Sequence, residues 1–373
     1  AATPAFDGEV NAWVVVKPDD QIVIRIARSE MGQGTLTGLA QLVAEELECD
    51  WDNVTTEYPT PGKNLARNRI WGNFGTGGSR GIRESQDYVR KGGAVARETL
   101  VVAAASQWQV PPAECLVEKG IISHPASKKR MSFGTAAPFT KTLVTTPTAA
   151  SVKLKDPKDW KIIGKRVARL DTVDKTTGKQ IYGMDLKMPG MLNAAIKACP
   201  VFGGKVKSVD DGAVLKRRGV KKVLKVGDNA VAVVAETWWQ AKTALDLLKI
   251  EWDEGANAKA SSESFAAVLK EGLEAKNAVV GHQVGDAAAA IAASASKLEA
   301  EYSYPHQNHA CMETMNATCR YTPEKCEVWT PTQNGESALA ATSEASGLPN
   351  TKCEVYKLHL GGGFGRRGAT DWI

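Results

Sequence analysis

The sequence predicts an α+β protein of more than one domain. Three observations carry that prediction. The chain has 373 residues, enough for two or three domains with cores of their own. Short strand-like runs and longer helical periodicities occur side by side along most of it. Two stretches without a clear period, one rich in Pro, Thr, Ser and Lys and one rich in Ala, separate the rest into blocks.

The elements follow in order. Trp13 to Val16 and Gln21 to Ala27 read as strands joined by the turn Lys17 to Asp20. The glycine turn "RSEMGQGT" (28–35) leads into a helix whose Leu36, Leu39, Ala40, Val43 and Leu47 share one face. Asn53 to Tyr58 reads as a strand, and "WGNFGTGGSRGIRES" (71–85) as a long glycine loop before a helix from about Arg83 to Trp108. Together these make a first segment, 1–125, followed by a linker over 126–169. A compact strand-rich unit is expected over 170–255, with Thr237 as N-cap of the helix "TWWQAKTALDLL". Residues 256–297 read as an Ala-rich helical connector. The last segment, 298–373, carries strands around "HACMET", "CEVWTPTQ" and "CEVYKLHL" and ends on the loop "GGGFGRRG".

Composition narrows the function. A hydrophobic content of 43% and a charged content of 24% are those of a globular protein, and no run approaches the ~18–20 apolar residues of a membrane helix. The net charge of +5 is mild, and the basic run 215–225 lacks the interleaved aromatics of a nucleic-acid platform. The seven cysteines form no CxxC pair, and their spacing matches neither a zinc site nor an iron–sulfur run. They read as buried thiols, with one disulfide left open for an oxidising compartment. His306 and His309 come without HExxH or acid spacing, so they read as structural, and no residue is expected to ligate a metal directly.

Three glycine loops remain. Glycine lets backbone N–H groups approach an anion, and a following helix adds its positive end. "MGQG" and "GTGGSRG" both precede helices, and "GGGFGRRG" adds Arg366 and Arg367, which can pair with phosphate. Any one of these alone reads as a plain turn; three favour a shared phosphate-bearing ligand. Gly363, Gly365 and Gly368 spell GxGxxG, but the helix, second strand and acidic residue of a dinucleotide fold do not follow.

Taken together, "SEMGQGT", "GTGGSRG", "HACMETMNAT", "VWTPTQ" and "GGGFGRR" resemble the molybdenum-cofactor subunit of the xanthine oxidase family. MGQG preceding GGGFGRR resembles the branch that holds the isoquinoline 1-oxidoreductase beta-subunit and periplasmic aldehyde dehydrogenases. The unit 170–255 is similar to the family's a/b hammerhead domain. The resemblance implies a molybdenum molybdopterin cytosine dinucleotide threaded between the loops. It places Gly32, Gln33, Gly34, Gly77, Gly78, Ser79, Gly363, Phe364, Gly365, Arg366 and Arg367 at the cofactor, and Gln333 at the apical molybdenum ligand. His309 and Glu313 match an HxxxE pattern behind the site. Gly368 stands where xanthine-type enzymes place a substrate-binding glutamate, which argues against purines. The family's catalytic glutamate has no match in this chain and is expected on the remaining half of the subunit.

The implied activity is oxidation of an aldehyde or N-heteroaromatic substrate with water as the oxygen source. Electrons would pass to [2Fe–2S] clusters on a small partner subunit, with a cytochrome c subunit as an optional further partner. The implied place is the periplasm, with the cytoplasm as the alternative. Two rivals stand beside this reading: a cofactor-free half-subunit with a binding or assembly role, and a nucleotide-binding dehydrogenase.

Overall fold

The computed structural model describes residues 7–373 as a mixed α and β structure that divides into two compact units, one formed by the chain up to Leu186 together with His309–Ile373, the other by Lys187–Asn308. In the first unit, β1 (Val14–Val16) pairs antiparallel with β2 (Ile22–Arg25), and β2 pairs parallel with β3 (Val54–Glu57). Helix α1 (Thr35–Leu47) buries the stripe Leu36, Leu39, Ala40, Val43 and Leu47. It lies against α2 (Gln86–Trp108). The close approach is set by Gly93 of α2, where any Cβ would run into the Val43 carbonyl oxygen and the Glu46 side chain. Glycine inside a helix costs about 1 kcal/mol against alanine, so its presence here reports the tight crossing.

The glycine loop before α2 is not continuous with that helix. A short helix, Arg80–Arg83, comes first, and the chain breaks at Glu84 and Ser85 before α2 starts. A meander of β4 (Leu116–Glu118), β5 (Ile121–His124) and β6 (Lys129–Ser132) follows. The low-complexity stretch after it has more structure than its composition suggests. Phe133, Ala136 and Ala137 enter the main core. Further on, two buried carboxylates of α1 hold the irregular backbone: Glu45 accepts from the N–H groups of Lys161, Ile162 and Ile163 at 2.6–3.0 Å, and Glu46 from Lys155 at 3.1 Å. Aperiodic sequence is thus ordered by side chains that lie 110 residues or so upstream.

The second unit holds a three-stranded antiparallel sheet in the order β7 (Asn193–Ala198), β10 (Ala230–Ala235), β9 (Val220–Val226), and a two-stranded sheet of β8 (Lys205–Asp210) and β11 (Lys249–Asp253). Helix α3 (Trp238–Leu247) is capped by Thr237 in a reciprocal box with Gln240 and packs Ala241, Ala244 and Leu245 onto Val231 and Val233. Two further helices, α4 (Ser262–Leu273) and α5 (Ala287–Ala293), occupy the Ala-rich stretch.

Back in the first unit, β12 (Thr318–Tyr321) pairs antiparallel with β13 (Cys326–Thr330), which pairs parallel with β14 (Cys353–Lys357) through the crossover helix α6 (Gly335–Ser346). The "HACMET" stretch, expected to carry a strand, is irregular from 309 to 317; it is tied instead through Glu313, whose N–H donates to the Gly361 carbonyl and whose carboxylate accepts from Gly183 and Gly361 N–H. Residues 170–186 also sit in the first unit rather than with the sheets that follow, since Tyr182 bridges to His359 and the Gly183 N–H donates to Glu313. All seven cysteines are free thiols.

Candidate functional site

Parallel strands send their connecting loops out at the carboxyl ends, the usual place for a ligand in such sheets. Here β2 runs into 26–34, β13 into 331–334 and β14 into 358–368. These three loops meet. The Ser29 hydroxyl donates to the Thr332 carbonyl at 2.8 Å, and the Leu360 N–H to the Glu30 carbonyl at 3.1 Å. A Cβ on Gly363 would lie 2.5 Å from Met31 Sδ and 2.8 Å from Gln333 Oε1, so only glycine lets the strands' loops close. The fourth segment, 75–79, joins through Thr76: its N–H donates to the Gln333 carbonyl at 2.7 Å, and its hydroxyl accepts from the Ser29 N–H at 2.8 Å. Buried Arg28 ties that segment down, donating to the Gly75 carbonyl and, at 3.1 Å, to the Ser85 hydroxyl.

Within this junction the residues expected at the cofactor fall into different environments. The MGQG turn is wound around Glu30, whose side chain is fully buried. Its Oε1 accepts from Gly32 N–H at 2.8 Å and Gly34 N–H at 3.0 Å, and its Oε2 from Leu36 N–H at 2.9 Å. Arg169 adds a bond at 3.2 Å. Gln33, though exposed, folds back on the same turn, accepting from Met31 N–H at 2.8 Å and donating to the Ser29 carbonyl at 3.0 Å. The amides that a glycine turn would offer an external anion are therefore largely taken by an internal one.

Gln333 is 5% exposed. Its N–H donates to the Arg367 carbonyl at 2.9 Å and its Nε2 to the Thr76 carbonyl at 2.7 Å. Its Oε1 is buried and has no partner among the described residues. An orphaned acceptor costs on the order of 1–3 kcal/mol, which a ligand donor would recover.

The terminal loop splits its arginines. Arg367 is fully buried and donates to the carbonyls of Gly362 (2.8 Å) and Glu313 (2.6 Å), with the Glu313 carboxylate at 3.2 Å. Arg366 forms a two-point pair with Asp371 at 2.7 and 2.8 Å on the rim. The Arg367 guanidinium is spent on the fold rather than spare for phosphate, in contrast to the expectation from "GRRG", while Arg366 is held only by an exposed ion pair. Glu313 fixes the start of this loop: it accepts from Gly361 N–H at 2.8 Å, and also from Gly183 N–H at 2.9 Å and Asn316 Nδ2 at 3.0 Å. Phe364 stands out from the loop, 72% exposed, with a left-handed backbone at φ +50 that a bulky residue holds only under constraint.

Free donors remain elsewhere. Among the described residues the backbone N–H groups of Gly77, Gly78 and Ser79, and of Gly362, Gly363, Phe364 and Gly365, donate to no protein acceptor. These amides and the Gln333 oxygen fit a ligand that carries both oxygen acceptors and at least one donor. Among the described residues no group of three His, Cys, Asp or Glu could hold a metal ion.

Several residues at the junction escaped sequence reasoning. Lys357 is buried, donates to the Ala27 carbonyl at 2.5 Å and lies against Tyr58 and Phe74; burial, then the nearby Arg28 charge, brings its amine down to about 7. Burial also lowers His359, whose Nε2 has no partner among the described residues. Asp171 is drawn down to about 2: burial opposes ionisation, but Arg169 and Lys175 outweigh it. Glu30 had one visible signal, a carboxylate two residues before the first glycine of a turn that opens a helix.

Comparison with known proteins supplies the rest. Residues 2–180 match the model of a molybdopterin cofactor-binding domain, and residues 270–373 match a second model of the same description. The chain is 31% identical to the membrane-bound aldehyde dehydrogenase [pyrroloquinoline-quinone] of Gluconacetobacter polyoxogenes, over 98% of this chain and 48% of that one. It is 28% identical to the beta subunit of isoquinoline 1-oxidoreductase from Brevundimonas diminuta, over 96% of this chain and 51% of the other. To a nicotinate dehydrogenase polypeptide of Pseudomonas putida it is 26% identical, over 97% of this chain and 30% of the other. The chain thus spans about half, or less, of the length of these relatives.

Proposed function

The chain belongs to the molybdenum-cofactor subunits of the xanthine oxidase family, and from that premise we propose that it builds one side of the cofactor cradle in an oxidoreductase acting on an aldehyde or an N-heteroaromatic ring. The observation that carries this is the junction itself: the loops after β2, β13 and β14 and the segment 75–79 converge on Gln333, whose buried Oε1 lacks a partner among the described residues. When bound, a molybdenum–pterin group supplies two-electron oxidation with water as the oxygen source.

The chain's own residues hold and orient. The amides of 77–79 and 362–365 are the donors for oxygens and phosphate of the cofactor, in the form of the molybdopterin cytosine dinucleotide. Gln333, clamped on Thr76, offers Oε1 as an acceptor beside Gly363. Phe364 contributes an apolar face on the open side. The two carboxylates at the loops, Glu30 and Glu313, each accept several bonds, so neither is free to act as general base. The base is assigned to the remaining half of the subunit. A small partner subunit carrying [2Fe–2S] clusters would take the electrons, and in the periplasm a cytochrome c subunit would be a further acceptor. The sheets of the second unit are assigned to the a/b hammerhead domain.

Metal and cofactor content of the native protein test this reading. One molybdenum and one pterin per chain are expected. One relative's name carries pyrroloquinoline quinone, so the same preparation is assayed for quinone; quinone without molybdenum would overturn the proposal.

A further inference from the structure

A glycine turn ahead of a helix is ordinarily read as an anion site waiting for its anion. In this protein one such turn already contains one, and a second buried carboxylate fixes the start of the terminal glycine loop. Glu30 gathers the amides of Gly32, Gly34 and Leu36 and the Arg169 guanidinium, and closes the N-terminal end of α1 from inside. Glu313 gathers the amides of Gly183 and Gly361, the Asn316 side chain and the Arg367 guanidinium. Both residues are buried, at 0% and 8% exposure. Each carboxylate replaces the water it lost with charge-assisted bonds, which are about twice as strong as neutral ones.

The two carboxylates are coupled. Leu360 N–H bonds the carbonyl of Glu30, and the next residue, Gly361, bonds both the carboxylate and, through its carbonyl, the N–H of Glu313. A Cβ on Gly361 would collide with the Glu313 side chain, so the fit leaves no slack. By contrast, the amides of 77–79 and 362–365 have no internal acceptor among the described residues.

We propose that Glu30 and Glu313 are positioning residues: Glu30 is a built-in anion around which the MGQG turn is wound, and Glu313 one that fixes the start of the terminal glycine loop at Gly361, so that this side of the cradle is formed before any cofactor arrives and the cofactor's acidic groups fall to the amides of 77–79 and 362–365. The proposal rests on the molybdenum–pterin reading above. It reassigns the MGQG turn from phosphate binder to preformed wall. A second anion placed at Gly32 and Gly34 would meet amides already used and a carboxylate of its own sign.

The test uses the native protein with Glu30→Gln, Glu30→Ala, Glu313→Gln and, as a control, Glu46→Gln. Glu46 is a fully buried carboxylate of α1 that holds Arg90 and Lys155 and touches no glycine turn. Two readouts are taken. Hydrogen exchange of the cofactor-stripped protein is expected to show protected amides at Gly32, Gly34, Leu36 and Gly361. That protection should be lost on the matching turn in each Glu30 or Glu313 variant, and kept in Glu46→Gln. Cofactor retention, as molybdenum per folded chain after dilution, should fall about ten- to a hundredfold for Glu30 and Glu313 variants, the range for partners that orient a binding group. The control should lose stability but not molybdenum per folded chain. If Glu30→Ala does not fold, the Gln variants and the exchange data decide alone. Unprotected amides in the stripped wild type, or unchanged retention in the Gln variants, would overturn the proposal. Wild type without molybdenum would instead sink the cofactor reading, while the exchange result would still stand or fall by itself.

Discussion

Arg366 and Arg367 are neighbours in sequence and opposites in environment. Removing the Arg367 side chain leaves Glu313 buried beside an empty place and unbonds the carbonyls of Gly362 and Glu313, so Arg367→Ala is expected to cost about 3–5 kcal/mol in urea unfolding. Arg366 pairs with Asp371 on the rim, and Arg366→Ala should cost no more than about 1 kcal/mol. A larger loss from Arg366 than from Arg367 would reverse these assignments. Gln333→Ala should leave most of the bound molybdenum in place and slow turnover per molybdenum about ten- to a hundredfold, because the amide orients what it touches more than it anchors it. Metal analysis beside steady-state kinetics separates the two effects. Lys357 gives a pH signature. Burial lowers its folded pKa to about 7 while the unfolded amine titrates near 10.5. Between those values the unfolded chain binds more protons, so stability rises with pH; below 7 both states are charged and the buried cation's cost is fully present. Lys357→Met should therefore stabilise the fold most at pH 6, with the gain shrinking by pH 9. A gain that grows with pH would show that the amine is not buried as described.

The elements were legible where periodicity was strong. The stripe from Leu36 to Leu47 announces α1, and the signal in "TWWQAKTALDLL" announces α3 with its Thr237 cap. The break at Glu84 and Ser85 was not legible, since the weak helix formers in "RGIRESQDYV", Gly81, Ser85 and Asp87, do not mark where one helix stops and the next starts; at that point the Arg28 guanidinium takes the Ser85 hydroxyl. Nor was the order in 153–165, which comes from Glu45 and Glu46 rather than from any local preference. The glycine loops were visible as a group, and Glu313 through the family's HxxxE pattern, but the bonds that Glu30 and Glu313 make to loop amides were not, because they join residues brought together only by the fold. Packing of α1 on α2 gives the test at this scale. Gly93→Ala should cost about 1–3 kcal/mol because its methyl meets the Val43 carbonyl. Gly272→Ala, in α4 with nothing within 4 Å, should be neutral or stabilise by about 0.5–1 kcal/mol. Equal effects at both positions would mean that α1 and α2 are not in close contact at Gly93.

At the scale of the molecule, the site belongs to no single stretch of chain. Expressed alone, these 373 residues are expected to turn over no aldehyde, since neither carboxylate at the loops is free for base catalysis, a contribution of about 10²–10⁴ in rate. Measurable turnover by the isolated polypeptide loaded with molybdenum would place the base within it. The bond from Ser29 to Thr332 also sets a clock on biosynthesis. Its partners are 303 positions apart, and a ribosome adding about 5–20 residues per second needs roughly 15–60 s to travel from one to the other. Throughout that interval the nascent strand ending at Arg25 has half of a sheet-end junction and nothing to close it. A cofactor supplied early would find no receptor, and a chain released early would carry an open seam for proteases and for other nascent chains.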